Sequence, residues 1–207
     1  TAYWSVENAG VKKGDTVVIL GSGPVGLFAQ KFAVMAGAER VIAVDPVQHR
    51  LDKAANYNGV ETYFLEDTAQ AGTELYELAK GGADVIIDCV GMDGLEPVKE
   101  KAKNLVSLQS GTISPLQMAS QAVKKFGTVQ VTGVYMTPAS SYPLQEFFMR
   151  DIAVKHGQAP IIHLMPKIYA MIAEGLFDPT QIITHSLPLS EAAQAYEIFD
   201  KKEDKNI

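Results

Sequence analysis

Along the chain, short continuous apolar runs alternate with stretches of helical periodicity. Thr16-Val17-Val18-Ile19-Leu20 is closed by Gly21, the pattern of a strand buried on both faces. From Val25, the positions Leu27, Phe28, Ala29, Phe32, Ala33 and Ala36 recur at helical spacing, and Gly37 ends the run. The alternation continues with a strand over 40–44 closed by Asp45-Pro46, a helix over 48–56 and a weaker strand over 61–65. A helix over 68–80, ended by Gly81-Gly82, and a strand over 84–90 follow. Residues 92–115 are polar and mixed, and read as an insertion with helical pieces. A helix over about 116–125, a strand over 128–134 and a short strand over 152–156 come next. This order predicts right-handed βαβ units: an α/β fold with a doubly wound parallel sheet of about six strands. After Gly157 the rhythm changes to a helix over 164–174, extended chain over 181–189 and a helix over 190–202 with Ser190 as its N-cap. The division expected is a sheet domain over 1–157 and a return segment over 158–207.

Composition narrows the function classes. The chain has 207 residues, 47% hydrophobic and 20% charged, which is ordinary for a globular protein. Eighteen Lys and Arg against 24 Asp and Glu give a net charge of −6. That balance argues against a nucleic-acid surface, which needs concentrated positive charge. The single Cys89 excludes an internal disulfide and points to a reducing, cytoplasmic setting. No apolar run has the length of a membrane span. Thr1-Ala2-Tyr3-Trp4 lacks the features of a signal peptide and reads as the middle of something longer.

The chemistry concentrates at Gly21-Ser22-Gly23-Pro24-Val25-Gly26, a G-x-G-x-x-G placed directly after a strand and opening a helix. Gly21 permits the tight turn, Gly23 lets backbone approach a pyrophosphate, and Gly26 lets helix and strand pack closely. Pro24 suits the first helical turn, and the helix N-terminus favours an anion. Glycine-rich strand-to-helix turns also recur for structural reasons alone. Asp45, nineteen residues after Gly26 and at the end of the second strand, adds weight to the coenzyme reading. A carboxylate there accepts hydrogen bonds from an adenosine ribose and repels a 2′-phosphate, which favours NAD(H) over NADP(H). By itself Asp45 is equally a turn residue before Pro46. Arg50, one helical turn on, could reach the ribose or adenine, or lie on a solvated face.

Other polar residues read as structural. Tyr76 and Lys80 form a Tyr-x-x-x-Lys that falls before the fourth strand with no Ser partner in register. His49, His156, His163 and His185 show no metal-ligand spacing. Two rival functions share parts of the pattern: an S-adenosylmethionine-dependent methyltransferase and a non-catalytic NAD-sensing module.

The order of segments resembles the coenzyme-binding half of zinc-dependent medium-chain alcohol dehydrogenases, nearly end to end. The segments that carry this likeness are Val11-Lys12-Lys13-Gly14-Asp15-Thr16-Val17, Gly23-Pro24-Val25-Gly26-Leu27, Ala43-Val44-Asp45, Asp88-Cys89-Val90-Gly91, Thr132-Gly133-Val134-Tyr135 and Ile183-Thr184-His185-Ser186-Leu187-Pro188-Leu189. The stretch 92–116 with Gly157-Gln158-Ala159-Pro160 looks most like the formaldehyde dehydrogenase-like branch. The resemblance implies that Gly21, Gly23, Pro24, Val25 and Gly26 shape the pyrophosphate loop and that Asp45 and Arg50 hold the ribose. It implies that Val90, Gly133, Val134, Tyr135, Gly157, Gln158 and Ala159 line the coenzyme trough, with Thr1 approaching the nicotinamide. It further implies an alcohol or aldehyde substrate, a homo-oligomer paired through the sheet edge around 152–155, and a catalytic zinc. The zinc ligands and all catalytic residues would lie outside this chain, in a catalytic domain against which the return segment packs.

Overall fold

The computed structural model describes residues 1–91, 113–136, 141–201 and 204–207, which form two compact units, Thr1–Ala159 and Pro160–Ile207. The first opens with helix α1 (Ala2–Ala9), which Gly10 closes in the left-handed conformation. The alternation follows as β1 (Thr16–Leu20), α2 (Pro24–Met35), β2 (Arg40–Asp45), α3 (Gln48–Asn58) and β3 (Glu61–Phe64). It continues with α4 (Thr68–Leu78), β4 (Ala83–Asp88), α5 (Ser114–Ala122), β5 (Val123–Val131), α6 (Leu144–Met149) and β6 (Ala153–His156). All strand pairs are parallel, and the order is β3-β2-β1-β4-β5-β6. This is the doubly wound sheet that the alternating pattern predicts, with its change of winding direction between β1 and β4.

The central strands read clearly because both of their faces are covered. Val17, Val18, Ile19 and Leu20 are all buried. Val18, Leu20, Ile42, Val44 and Ile86 pack with Leu75 of α4 and with Leu116 and Met118 of α5. α1 packs against α2 and β5, and α2 against α3. The Tyr3 ring meets Phe32 edge-on, with centroids 5.2 Å apart.

Several boundaries differ from the sequence pattern. α1 and α6 are short helices that it does not predict. β4 ends at Asp88 rather than residue 90, because the Asp88 carboxylate takes the amides of Val90 and Gly91 and turns the chain out of the sheet. The helix expected over 116–125 spans Ser114–Ala122, and β5 begins directly after it. The start of β5 is irregular. Its register against β4 shifts between Ala83 and Val85, and Phe126 sits at φ 61°. Most of the expected insertion, 92–112, lies outside the described residues.

The second unit holds α7 (Ile161–Ala173), 3-10 turns at Pro179–Ile182 and Leu189–Glu191, and α8 (Ala192–Lys201). Ser190 lies inside the second 3-10 turn, so it does not cap α8. His185 is held between Thr184 Oγ1 at 2.9 Å and Asp204 Oδ2 at 3.0 Å. Among the described residues no helix is long and apolar enough to cross a membrane.

Candidate functional site

In a parallel sheet all strands deliver their carboxyl ends to one edge. Where winding reverses, the connections diverge and leave a crevice. Here that edge carries Gly21–Gly26 after β1, Asp45 at the end of β2, Val90 and Gly91 after β4, Gly133–Tyr135 after β5, and Gly157–Ala159 after β6.

The three glycines of the loop are there for different reasons. Gly21 has φ 90°, and a Cβ on it would stand 2.9 Å from Val90 Cγ2. A Cβ on Gly26 would lie 1.9 Å from the Gly21 carbonyl oxygen, so this glycine is required by the close approach of α2 to the loop. Gly23 is different. Its φ of −71° and ψ of −171° suit any residue, and the nearest atom to an added Cβ is Arg50 Nη1 at 3.8 Å. Among the described residues no close contact demands glycine at this position. The open space over Gly23 fits the backbone approach that a bound diphosphate requires. α2 begins here with Pro24 in its first turn and without a side-chain cap.

Asp45 is 3% exposed and tied at both oxygens. Oδ2 accepts the Ser22 amide at 2.7 Å and Oδ1 accepts the Val47 amide at 2.8 Å. Each oxygen keeps further acceptor capacity. Arg50 Nη1 lies 4.0 Å from Asp45 Oδ2, and the buried Arg50 Nε has no hydrogen-bond partner among the described residues. The structure therefore brings Gly23, Asp45 and Arg50 together, and leaves a guanidinium donor unused beside the glycine loop.

The β4 and β5 ends are clasped to one another. The Asp88 main-chain oxygen accepts the amides of Thr132 at 2.9 Å and Gly133 at 2.8 Å. A Cβ on Gly133 would stand 2.1 Å from the Gly91 nitrogen, so the two loops touch backbone to backbone. Tyr135 turns its hydroxyl inward and donates to Asp88 Oδ2 at 2.9 Å, anchoring the loop from below. Burial raises the Asp88 carboxyl above its ordinary value, although two amides and this hydroxyl hold its charged form. Burial, then the charge of Asp88 and the bond to it, push the Tyr135 phenol up. Val134 is exposed, Val90 is half-buried, and Gly157 stands beside the Trp4 ring, with an added Cβ 3.9 Å away. Gln158 is exposed and Ala159 half-buried.

Asp88, Ser22, Gln30 and Asn58 are polar residues of this region that the motif reading passes over. Gln30 carried a signal, since it falls on the apolar face of α2 between Leu27 and Ala33, and all three are fully buried. Tyr76 lines a different surface, where Arg150 stacks over its ring at 5.9 Å. Among the described residues no three of His, Cys, Asp and Glu come together as a metal site.

Residues 24–104 match the profile of a family described as zinc-binding dehydrogenase. The chain is 52% identical over its whole length to an uncharacterized zinc-type alcohol dehydrogenase-like protein, AdhB, of Bacillus subtilis, covering 55% of that protein. Among solved structures, the alcohol dehydrogenase TADH of Thermus sp. ATN1 superposes with a TM-score of 0.82 and 28% identity, over 98% of this chain and 52% of that one. A zinc-dependent alcohol dehydrogenase 2 of Streptococcus pneumonia gives 0.80 and 27%, over 98% and 54%. The chain therefore spans about half the length of the relatives it matches. The likeness to the formaldehyde dehydrogenase-like branch rests largely on residues outside those described. With its sheet order, its loop and these relatives agreeing, residues 24–104 carry the zinc-binding dehydrogenase domain, and the chain as a whole is similar to the doubly wound part of zinc-type alcohol dehydrogenases.

Proposed function

We propose that this chain binds NAD(H) at the carboxyl edge of the sheet and forms the coenzyme half of an alcohol or aldehyde dehydrogenase. The observation that carries the reading is Gly23, a glycine whose backbone suits any residue and over which the nearest described atom is Arg50 Nη1, 3.8 Å from a built Cβ. A diphosphate over Gly23 would receive the first-turn amides of α2 and the Arg50 guanidinium, whose Nη1 lies 3.8 Å from a Cβ built on Gly23. Asp45, pinned by two amides, would accept both adenosine ribose hydroxyls, and its charge would repel a 2′-phosphate. The bound coenzyme would supply a carbon that accepts or donates hydride, while Val90, Gly133 and Val134 shape the trough beside it. The catalytic zinc, where present, is held by residues outside this chain, and the protein works in the cytoplasm.

Among the described residues β6 is the last strand of the sheet, and no described strand pairs with its outer side. Leu144, Phe148 and Met149 of the preceding helix are exposed. These features favour pairing of that edge with a second copy, and sedimentation of a monomer at high concentration would count against it.

Titration of the chain with NADH and NADPH tests the reading. NADH should bind in one-to-one stoichiometry and NADPH at least tenfold more weakly, the scale of one unfavourable charged contact. Asp45→Ala should erase most of that difference. Equal affinity for the two coenzymes, or binding of neither, would contradict the proposal.

A further inference from the structure

Beneath the glycine loop runs a row of buried polar side chains. Ser22 and Gln30 are fully buried, and Asn58 is 9% exposed. Asn58 Nδ2 donates to Gln30 Oε1 at 3.0 Å and to the Leu27 carbonyl at 2.9 Å. Gln30 Nε2 donates to Ser22 Oγ at 3.0 Å, and the Ser22 amide donates to Asp45 Oδ2 at 2.7 Å. The row thus joins the end of α3, the middle of α2, the glycine loop and the end of β2.

Stability alone is a poor reason for it. The neighbours of Gln30 on the buried face of α2 are Gly26, Leu27 and Ala33, and an amide among them is tolerated only when hydrogen-bonded. Asn58 Oδ1 is buried with no partner among the described residues, so the row is not fully satisfied within them. A leucine would suit such a helix face better. What the row does accomplish is geometric. Ser22 is gripped twice, through its hydroxyl by Gln30 and through its amide by Asp45. If Ser22 turns, the peptide ahead of Gly23 turns with it, and one oxygen of Asp45 loses its anchor.

We propose that Asn58, Gln30 and Ser22 are positioning residues for the coenzyme. The row presets the backbone over which the diphosphate lies and the orientation of the carboxylate that receives the ribose. A site held in its bound geometry before the ligand arrives binds more tightly, because less ordering is left to be done. This inference rests on the NAD(H) reading above. It adds a set of side chains buried beneath the loop, which act through Ser22.

The test uses the whole chain, with Ser22→Ala, Gln30→Met and the double variant. Binding is followed by energy transfer from Trp4, the only tryptophan, to NADH. Each single variant should weaken NADH about tenfold, the scale of one hydrogen bond. ADP-ribose, which lacks the nicotinamide, should weaken by the same factor. The double variant should be no weaker than the worse single one, since both break one row. The NADPH-to-NADH ratio of dissociation constants should fall in all three, because Asp45 is no longer fixed. A purely structural role would lower the melting temperature and leave that ratio unchanged. Unchanged NADH affinity in the variants, or losses that add in the double, would overturn the positioning role while leaving the NAD(H) reading intact. Failure of the unaltered chain to bind NADH would overturn both. Should Gln30→Met not fold, Ser22→Ala, which removes a single oxygen, carries the same two readouts.

Discussion

Replacing Gly23 with alanine separates what the fold needs from what a ligand needs. The backbone there, φ −71° and ψ −171°, is open to alanine, and among the described residues the new methyl group would meet no atom nearer than Arg50 Nη1 at 3.8 Å. Two small effects act on stability. Removing glycine restricts the unfolded chain and gains about 0.4–1 kcal/mol. Alanine is a poorer N-cap than glycine for α2, which loses roughly 0.5–1 kcal/mol. The net change is within about 1 kcal/mol, so the melting temperature should move by no more than about 4 °C. Coenzyme binding should respond very differently. The methyl would stand where the diphosphate must touch the backbone, and loss of one charge-assisted hydrogen bond costs about 1.5–3 kcal/mol, ten- to a hundredfold in affinity. Thermal melting and NADH titration of the same sample measure both. A stable Gly23→Ala protein that binds NADH as well as the parent would refute the assignment of this loop to the diphosphate.

Three further outcomes follow from the same geometry. Gly26→Ala should destabilise the fold by about 3 kcal/mol or more, because its Cβ would overlap the Gly21 carbonyl at 1.9 Å, and melting curves read this directly. Tyr135→Phe takes the hydroxyl from the buried Asp88 carboxylate and should cost about 1–3 kcal/mol in urea unfolding; an unchanged midpoint would show that the clasp between β4 and β5 does not depend on it. Asp84 is pulled up by burial, but the Lys124 ammonium and the Thr16 amide outweigh this and hold its carboxyl below its ordinary 3.8. The resulting stabilisation is complete above that value and fades as pH falls through the folded-state value, so Asp84→Asn should lower stability at pH 7 by up to about 1 kcal/mol, with the gap closing in strong acid.

How much of this was legible in the sequence depends on the range of the interaction. β1, β2 and β4 are runs such as Val17-Val18-Ile19-Leu20 whose burial on both faces leaves a local signature. The glycine loop and Asp45 were visible for the same reason, each being a short motif at a strand end. α1 has only eight residues, too few for a clear period. The sequence pattern runs β4 past its end because Asp88, rather than any glycine or proline, turns the chain. The start of β5 was misplaced because the left-handed Phe126 interrupts its register without a sequence signal. The pairings of Asn58 with Gln30 and of Tyr135 with Asp88 bridge 28 and 47 residues, and no local pattern announces a partner at such distances.

The most direct measurement is a crystal structure of the chain grown with NADH. The account predicts the diphosphate over Gly23, the adenosine ribose hydroxyls within hydrogen-bond distance of Asp45, and the Arg50 guanidinium drawn onto the phosphates. Coenzyme density away from that crevice, or a ribose turned from Asp45, would contradict it.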